Sequence, residues 1–423
     1  MRKYLAIALS IAIFFIFLFT LFQNALNAPS FDDYDTTLNF IRRFYFDTES
    51  FTMRKDILLS RHNEHRILFS KSCAAIYYSI FGQLNFRDLV IFQNVFLLAF
   101  FGLLFVIMRQ KKLLTAETLL IACLFLFSLA FWQVTFYYWG GIQHYTVFFF
   151  SFLTLFAINQ AERPVSGSFF VALSAAVLAV LSFGNGFLSL FLAAFILLIQ
   201  RKWLMFGIWA IFAIALLSLA FLPIPDVKTE AATNFNVEWM ARLLLTFLGS
   251  YLYINPATGQ SVNIILCMLM GVTVLGIWFW LFWKGYAAKN PFLYALLSLP
   301  ILTGIIVSIS RFESKAAGGI APRYMFFTAT IPVLLVLIFL DLKILKQAHL
   351  KYIASLGLLI WCAGFYNNRI DLKKTNDEVI TRIHEWESDH SLPLIYYRDA
   401  ETYSEILSWA VTEKVVVLPA KTN

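Results

Sequence analysis

Three carboxylates stand within four positions, Asp32, Asp33 and Asp35, in the stretch PSFDDYDTTLNFIRR. Like charges that close repel one another, so at least one of them is expected to serve proton abstraction or cation binding rather than to decorate a helix start. Further along, RHNEHRILFSK (Arg61 to Lys71) gathers two histidines, an acid and three bases. His62 and His65 at helical spacing, with Glu64 beside them, would suit a divalent metal, although this ligand set is short of a complete one. Arg61, Arg66 and Lys71 read equally well as a basic collar for lipid headgroups, which leaves Glu64 without an explanation. A second basic set, Arg311, Lys315 and Arg323, offers guanidinium forks suited to phosphate, or else an ordinary interfacial collar. In YYWGGIQHY (137–145), Trp139, Gln143 and His144 combine an aromatic face with hydroxyl-reading groups, as sugar binding needs, although Trp and Tyr also gather at any membrane interface. Asn185, between two glycines in FGNG, is expected to make a tight turn.

The elements that must position these residues are membrane helices. Of 423 residues, 60% are hydrophobic and only 14% charged, against roughly half and a quarter in soluble domains. The formal charge of +8 reflects basic residues at the ends of apolar runs, a pattern that orients helices and does not point to nucleic acid. Apolar runs predict about eleven spans, near residues 4–22, 89–108, 113–131, 143–160, 168–182, 187–200, 203–222, 261–283, 291–310, 325–340 and 351–366. The run at 4–22 is read as a retained helix rather than a cleaved signal, because it is long and lacks a small-residue cleavage site. Lysines and arginines at alternate turns then put the N-terminus on the cytoplasmic side. The 24–88 loop, the other chemistry-bearing turns and the tail at 367–423 fall on the outer side. Cys73, Cys123, Cys267 and Cys362 are scattered and suggest neither a metal centre nor a disulfide framework.

Local patterns sharpen the first loop. Ser30 and Asp33 resemble a capping box, and helical spacing beyond them would place Asp32, Thr36, Asn39 and Arg43 on one face. Phe69, Cys73, Ile76 and Ile80 mark an amphipathic helix lying on the bilayer, with His65 heading its stripe. Residues 241–253 read as an interfacial helix, and 394–397 and 415–418 as short strands of a small αβ tail. Charges in the middle of spans are nearly absent, which argues against a transporter or flippase, whose substrate path would require them.

The acidic pair after the first span, the long loop ending in an amphipathic helix and the eleven spans resemble the GT-C superfamily of membrane glycosyltransferases. HNEHRILFSK looks like a motif of uncharacterised bacterial members. YYWGGIQHY resembles a W-G-x-Q element, stretched here by Gly140-Gly141-Ile142. LSFGNGF resembles an Asn-Gly turn, and APRYMFF an Arg-Tyr element formed by Arg323 and Tyr324. The resemblance extends to about residue 366, giving a transmembrane domain over 1–366 and a tail that resembles none of the family's domains. It implies an all-α enzyme of the bacterial cytoplasmic membrane. Such an enzyme moves a sugar, with inversion, from a polyprenyl-phosphate donor to a cell-envelope glycan or lipid. Asp32 would be the general base, with Asp33 second and Glu64 assisting. Substrate contacts would come from Asp35, His62, His65, Arg66, Trp139, Gln143, His144, Asn185, Arg311, Lys315, Arg323 and Tyr324. A polysaccharide polymerase or ligase would use the same donors but would centre on a large late loop, whereas the largest loop here is the first.

Overall fold

The computed structural model describes residues 2–62, 65–221, 235–313, 321–395 and 400–419, and they form an all-α multi-pass membrane architecture. After α1 (Arg2–Asn24) the first loop carries a helical stretch from Asp33 to Phe46, α2 (Phe51–Leu59), a hairpin of β1 (Arg61–His62) and β2 (His65–Arg66), and α3 (Leu68–Phe81). The bundle continues with α4 (Phe86–Gln110), α5 (Ala116–Leu126), α6 (Trp132–Phe136), α7 (Tyr138–Gln160), α8 (Gly167–Ser182), α9 (Leu188–Ile199) and α10 (Trp203–Phe221). It is completed by α11 (Val237–Gly249), α12 (Gln260–Trp283), α13 (Tyr286–Lys289), α14 (Pro291–Arg311), α15 (Pro322–Thr328), α16 (Thr330–Asp341), α17 (Leu350–Ser388) and α18 (Ala400–Thr412). Helix starts follow local chemistry: Asn85, Ser166 and Asn236 each accept a backbone N–H, Thr115 and Thr118 form a capping box, and Asn290 precedes Pro291 at the first helical position.

Among the described residues nine helical segments are long and apolar enough to cross a bilayer, and α8 and α9 are shorter apolar helices. Each expected span falls on one of these eleven. Burial separates centre from rim: α7 is 83% buried within its apolar window and α14 78%, whereas α10 and α12 are 22% buried. Side chains such as Ile211 at 72% exposure and Phe279 at 62% are stable only against lipid tails. The span over 116–136 is broken by a 3₁₀ turn at Leu129–Phe131, and buried amides repair the break. Gln93 Nε2 donates to the carbonyls of Val134, Thr135 and Tyr137, and Asn94 Nδ2 to that of Thr135, so backbone freed inside the bundle keeps its partners.

Contacts between helix ends sort the turns into two sets. At one end, Asn376 donates to the Asn24 carbonyl, Tyr137 donates to Asn376, and Arg66 donates to the Ala220 carbonyl. At the other, Gln160 donates to Gln110, Lys202 to the Ala161 carbonyl, and Lys111 lies over the Phe292 ring. The basic turns near 111, 163, 201, 284 and 343 share the second end, and the first loop lies at the first. Cysteines introduced in a cysteine-free background at exposed Glu49 and Lys112 are therefore expected to react with an impermeant maleimide from opposite sides of the membrane. Labelling of both from one side would contradict this arrangement.

The structure alters several local expectations. Asp33 to Phe46 is not a plain α-helix, because it holds π-helical turns at Tyr34–Asn39 and Arg42–Phe46, the second closed by an Asp47 N–H bond to the Arg42 carbonyl at 3.1 Å. The wider turn rearranges the polar face, so Asp35, Thr36, Asn39 and Arg43 share a pocket and Asp32 does not. His62 and His65 are cross-strand partners in the hairpin, not neighbours on a helix. Helix α3 does form, with Ile76 and Ile80 exposed, but its buried side carries Lys71, which is turned inward and away from lipid. FGNG is a 3₁₀ turn without left-handed residues. Helix α11 is present and packs its Leu243, Phe247 and Leu248 inward.

The tail departs from an αβ cap. Helix α17 runs unbroken through residue 366 to Ser388, and the stretch expected as a strand at 415–418 makes a single parallel bridge, between Val416 and Leu84. Leu394 and Ile395 are outside any strand, and 396–397 lie outside the described residues. Helix α18 packs on the first loop: Arg42 pairs with Glu405 at 2.9 Å and lies over Trp409, and Tyr403 meets Tyr34 edge-on. One apolar core joins the loop, the start of α7 and the tail, separate from the core of the bundle.

Candidate functional site

Phe31 has a φ of 50°, a costly conformation for a bulky residue, and its ring packs against Tyr137 and Trp139. That bend delivers Asp32 and Asp33 to the start of α7. Asp33 is 1% exposed and accepts from the Ser30 N–H at 3.3 Å, the Ser30 hydroxyl at 3.4 Å, the Thr37 hydroxyl at 3.4 Å and the Trp139 N–H. The Ser30 hydroxyl thus donates to Asp33 rather than capping the helix. Burial pushes the Asp33 carboxyl well above the usual range and the charge of Asp32 adds to this, against the hydrogen bonds from Ser30 and Trp139. Asp32 is half-buried, and among the described residues its carboxylate has no hydrogen-bond or ion-pair partner.

Three positions after Asp32, the chemistry changes. His62 Nδ1–H donates to Asp35 Oδ2 at 2.9 Å, and Asn39 Nδ2 donates to Asp35 Oδ1 at 3.1 Å. Burial raises the Asp35 carboxyl, but the hydrogen bond and charge of His62, the Asn39 amide and the charge of Lys71 outweigh it and hold Asp35 below the usual range. Lys71, 5% exposed, donates to the Ile57 and Ser60 carbonyls and the Ser60 hydroxyl, and burial together with Arg43 lowers its ammonium to about 8. A pocket of about 50 Å³ opens between these groups, bordered also by Thr36, Arg43 and Arg61. The hairpin is tied to the end of α10, where the guanidiniums of Arg61 and Arg66 both donate to the Ala220 carbonyl, and Arg66 donates to the Leu59 carbonyl as well.

On the other side of Asp33 lies an aromatic cluster. The Arg323 guanidinium sits 5.5 Å from the Trp139 ring centroid and 5.1 Å from that of Tyr324. His144 is buried, donates Nδ1–H to the Gly140 carbonyl at 2.6 Å, and stacks on Phe327 with its other flank toward Phe183. Trp139 and Gln143 are also buried. Asn185 donates to the Thr303 hydroxyl at 3.1 Å and ties the turn after α8 to α14. Arg311 closes α14. Glu64, Lys315 and the side chain of His65 lie outside the described residues.

The fold thus brings Asp32, Asp33, Asp35, His62, Trp139, Arg323 and Tyr324 to one end of the bundle. Sequence reading missed Gln93, Asn94 and Lys71 as the groups that hold this end together. For the amides a signal existed in the polar pair inside the apolar run VIFQNVF, which a membrane span tolerates only where the pair is bonded. Among the described residues no three His, Cys, Asp or Glu side chains converge as a metal set, and the Asp35–His62 pair is read as a hydrogen-bonded dyad. The sequence matches no protein-family model, and no curated protein and no solved structure is detectably similar to it.

Proposed function

We propose that this protein is a membrane glycosyltransferase that moves a sugar from a polyprenyl-phosphate donor to a glycan or lipid acceptor at the membrane face bearing the first loop. The observation that carries the reading is Asp32: a half-buried carboxylate without a hydrogen-bond or ion-pair partner among the described residues, beside a buried acid, at the junction of the first loop and α7. A free carboxylate in reach of an acceptor hydroxyl serves as a general base as that oxygen attacks the anomeric carbon. Asp33, held by four hydrogen bonds, positions the turn. Trp139, Gln143, His144, Asn185 and Tyr324 belong to the walls of the sugar site in this reading. Arg323, with Arg311 and Lys315, is the cationic side that meets the donor phosphate. The face is taken as the outer one of a bacterial cytoplasmic membrane, from the basic turns at the opposite end.

The direct test is incubation of purified protein with a panel of polyprenyl-phosphate sugars and membrane acceptors, following release of the lipid phosphate. No release from any donor, by protein that is folded and monodisperse, would contradict the assignment. Replacing Arg323 by Ala is expected to weaken donor binding by roughly 1.5–3 kcal/mol, the worth of a charged hydrogen bond. Lysine restores only part of it, since it lacks the planar fork. Unchanged donor affinity in the alanine variant would remove Arg323 from the donor site and leave it a packing role on Trp139 and Tyr324.

A further inference from the structure

The Asp35–His62 pair is not used by a mechanism that rests on Asp32. Asp35 receives His62 Nδ1–H on one oxygen and the Asn39 amide on the other, which fixes the imidazole in one orientation. His62 Nε2 is enclosed and makes no hydrogen bond among the described residues. His62 borders the same small pocket as Thr36 and Arg43 from the two π-helical turns, Arg61 from β1, and Lys71 from α3. Among the described residues lining that space, Arg43, Arg61 and Lys71 are cationic and Asp35 is the one acid. A pocket of this charge, with a ring nitrogen lacking a partner, is complementary to an oxyanion whose arrival would also bring a proton to that nitrogen.

Resting on the glycosyltransferase reading above, we infer that the donor's phosphate enters this pocket and that His62, oriented by Asp35, gives it a proton. The acceptor oxygen bonds to the anomeric carbon and loses its proton to Asp32. The bond from the anomeric carbon to the phosphate oxygen breaks with its electron pair left on that oxygen, and the oxygen takes the Nε2 proton of His62. Asp35 stabilises the imidazolium before transfer and is a positioning residue. Both side chains return to their starting states by exchange with water.

Sulfate is a suitable probe because it does not titrate in the working range, and binding can be measured on the full-length protein in detergent. At one pH below the titration of Lys71, wild-type protein is expected to bind sulfate about tenfold more tightly than His62→Gln. Asp35→Asn removes the partner that orients the ring and should weaken sulfate binding, although it also removes an acidic group from the pocket. If either variant does not fold, the other still reports the linkage. Polyprenyl monophosphate, compared with sulfate and inorganic phosphate, is expected to bind more tightly with the same dependence on His62, which identifies the lipid headgroup as the natural ligand. Equal sulfate affinity in wild type and both variants, or no sulfate binding by the wild type, would overturn the inference. The two readings fail separately: His62-linked binding without sugar transfer would sink the glycosyltransferase assignment alone, and sugar transfer without that linkage would sink only the role of His62.

Discussion

Asp32→Asn is expected to reduce turnover by roughly 10²–10⁴-fold, the usual loss when a general base is removed, while the protein folds normally. The separation follows from the surroundings of Asp32. Its carboxylate has no bonded partner among the described residues, so the amide breaks no structural contact. Asp33→Asn is the informative comparison. Burial already holds Asp33 toward its neutral form, and an amide of the same shape can still accept from Ser30 and Trp139. Its turnover is expected to stay much nearer the wild-type value. Single-turnover release of lipid phosphate, with thermal unfolding of each variant as a control, distinguishes the two. Equal losses in both would make Asp33 the reacting group or the pair a single unit, and full activity in Asp32→Asn would remove it from the mechanism.

Gly141→Ala is expected to be strongly damaging for so small a change. A methyl group there would lie 2.1 Å from Gln93 Nε2 and 2.2 Å from the Val134 carbonyl oxygen. The amide can shift, but the carbonyl belongs to the backbone of α6 and is one of those that Gln93 satisfies. Overpacking of this kind costs about 1–3 kcal/mol, and the displacement falls on the start of α7, where the Trp139 N–H meets Asp33. The variant should unfold at lower temperature in detergent and lose turnover together with stability. Gly102→Ala and Gly207→Ala, in helices with open space around the new methyl, should be neutral or stabilising by up to about 1 kcal/mol. A Gly141→Ala protein as stable as these controls would show that α6 and α7 can part without harm.

The amino-acid sequence alone determined the membrane architecture. Apolar runs of about 20 residues have one low-energy solution in hydrocarbon, a helix that bonds its own backbone, and so each expected span falls on an apolar helix. It also determined that ionisable residues gather near the first loop, because charged groups excluded from spans must lie at their ends. Which side chains meet there was decided by contacts between residues far apart in the chain. Asp33 and Trp139 are joined by one N–H, Asp35 and His62 by one ring nitrogen, and Arg42 and Glu405 close the tail on the loop across 363 positions. Nor does an α-periodic reading of residues 32–46 foresee π-helical turns. Their extra residue per turn pays off only through tertiary bonds, and it moves Asp35 into the pocket while leaving Asp32 out. Lys71 shows the same limit from the other direction. Its type and place in a basic stretch point to lipid headgroups, and only the carbonyls of Ile57 and Ser60, presented by a neighbouring helix end, make burying its charge tolerable.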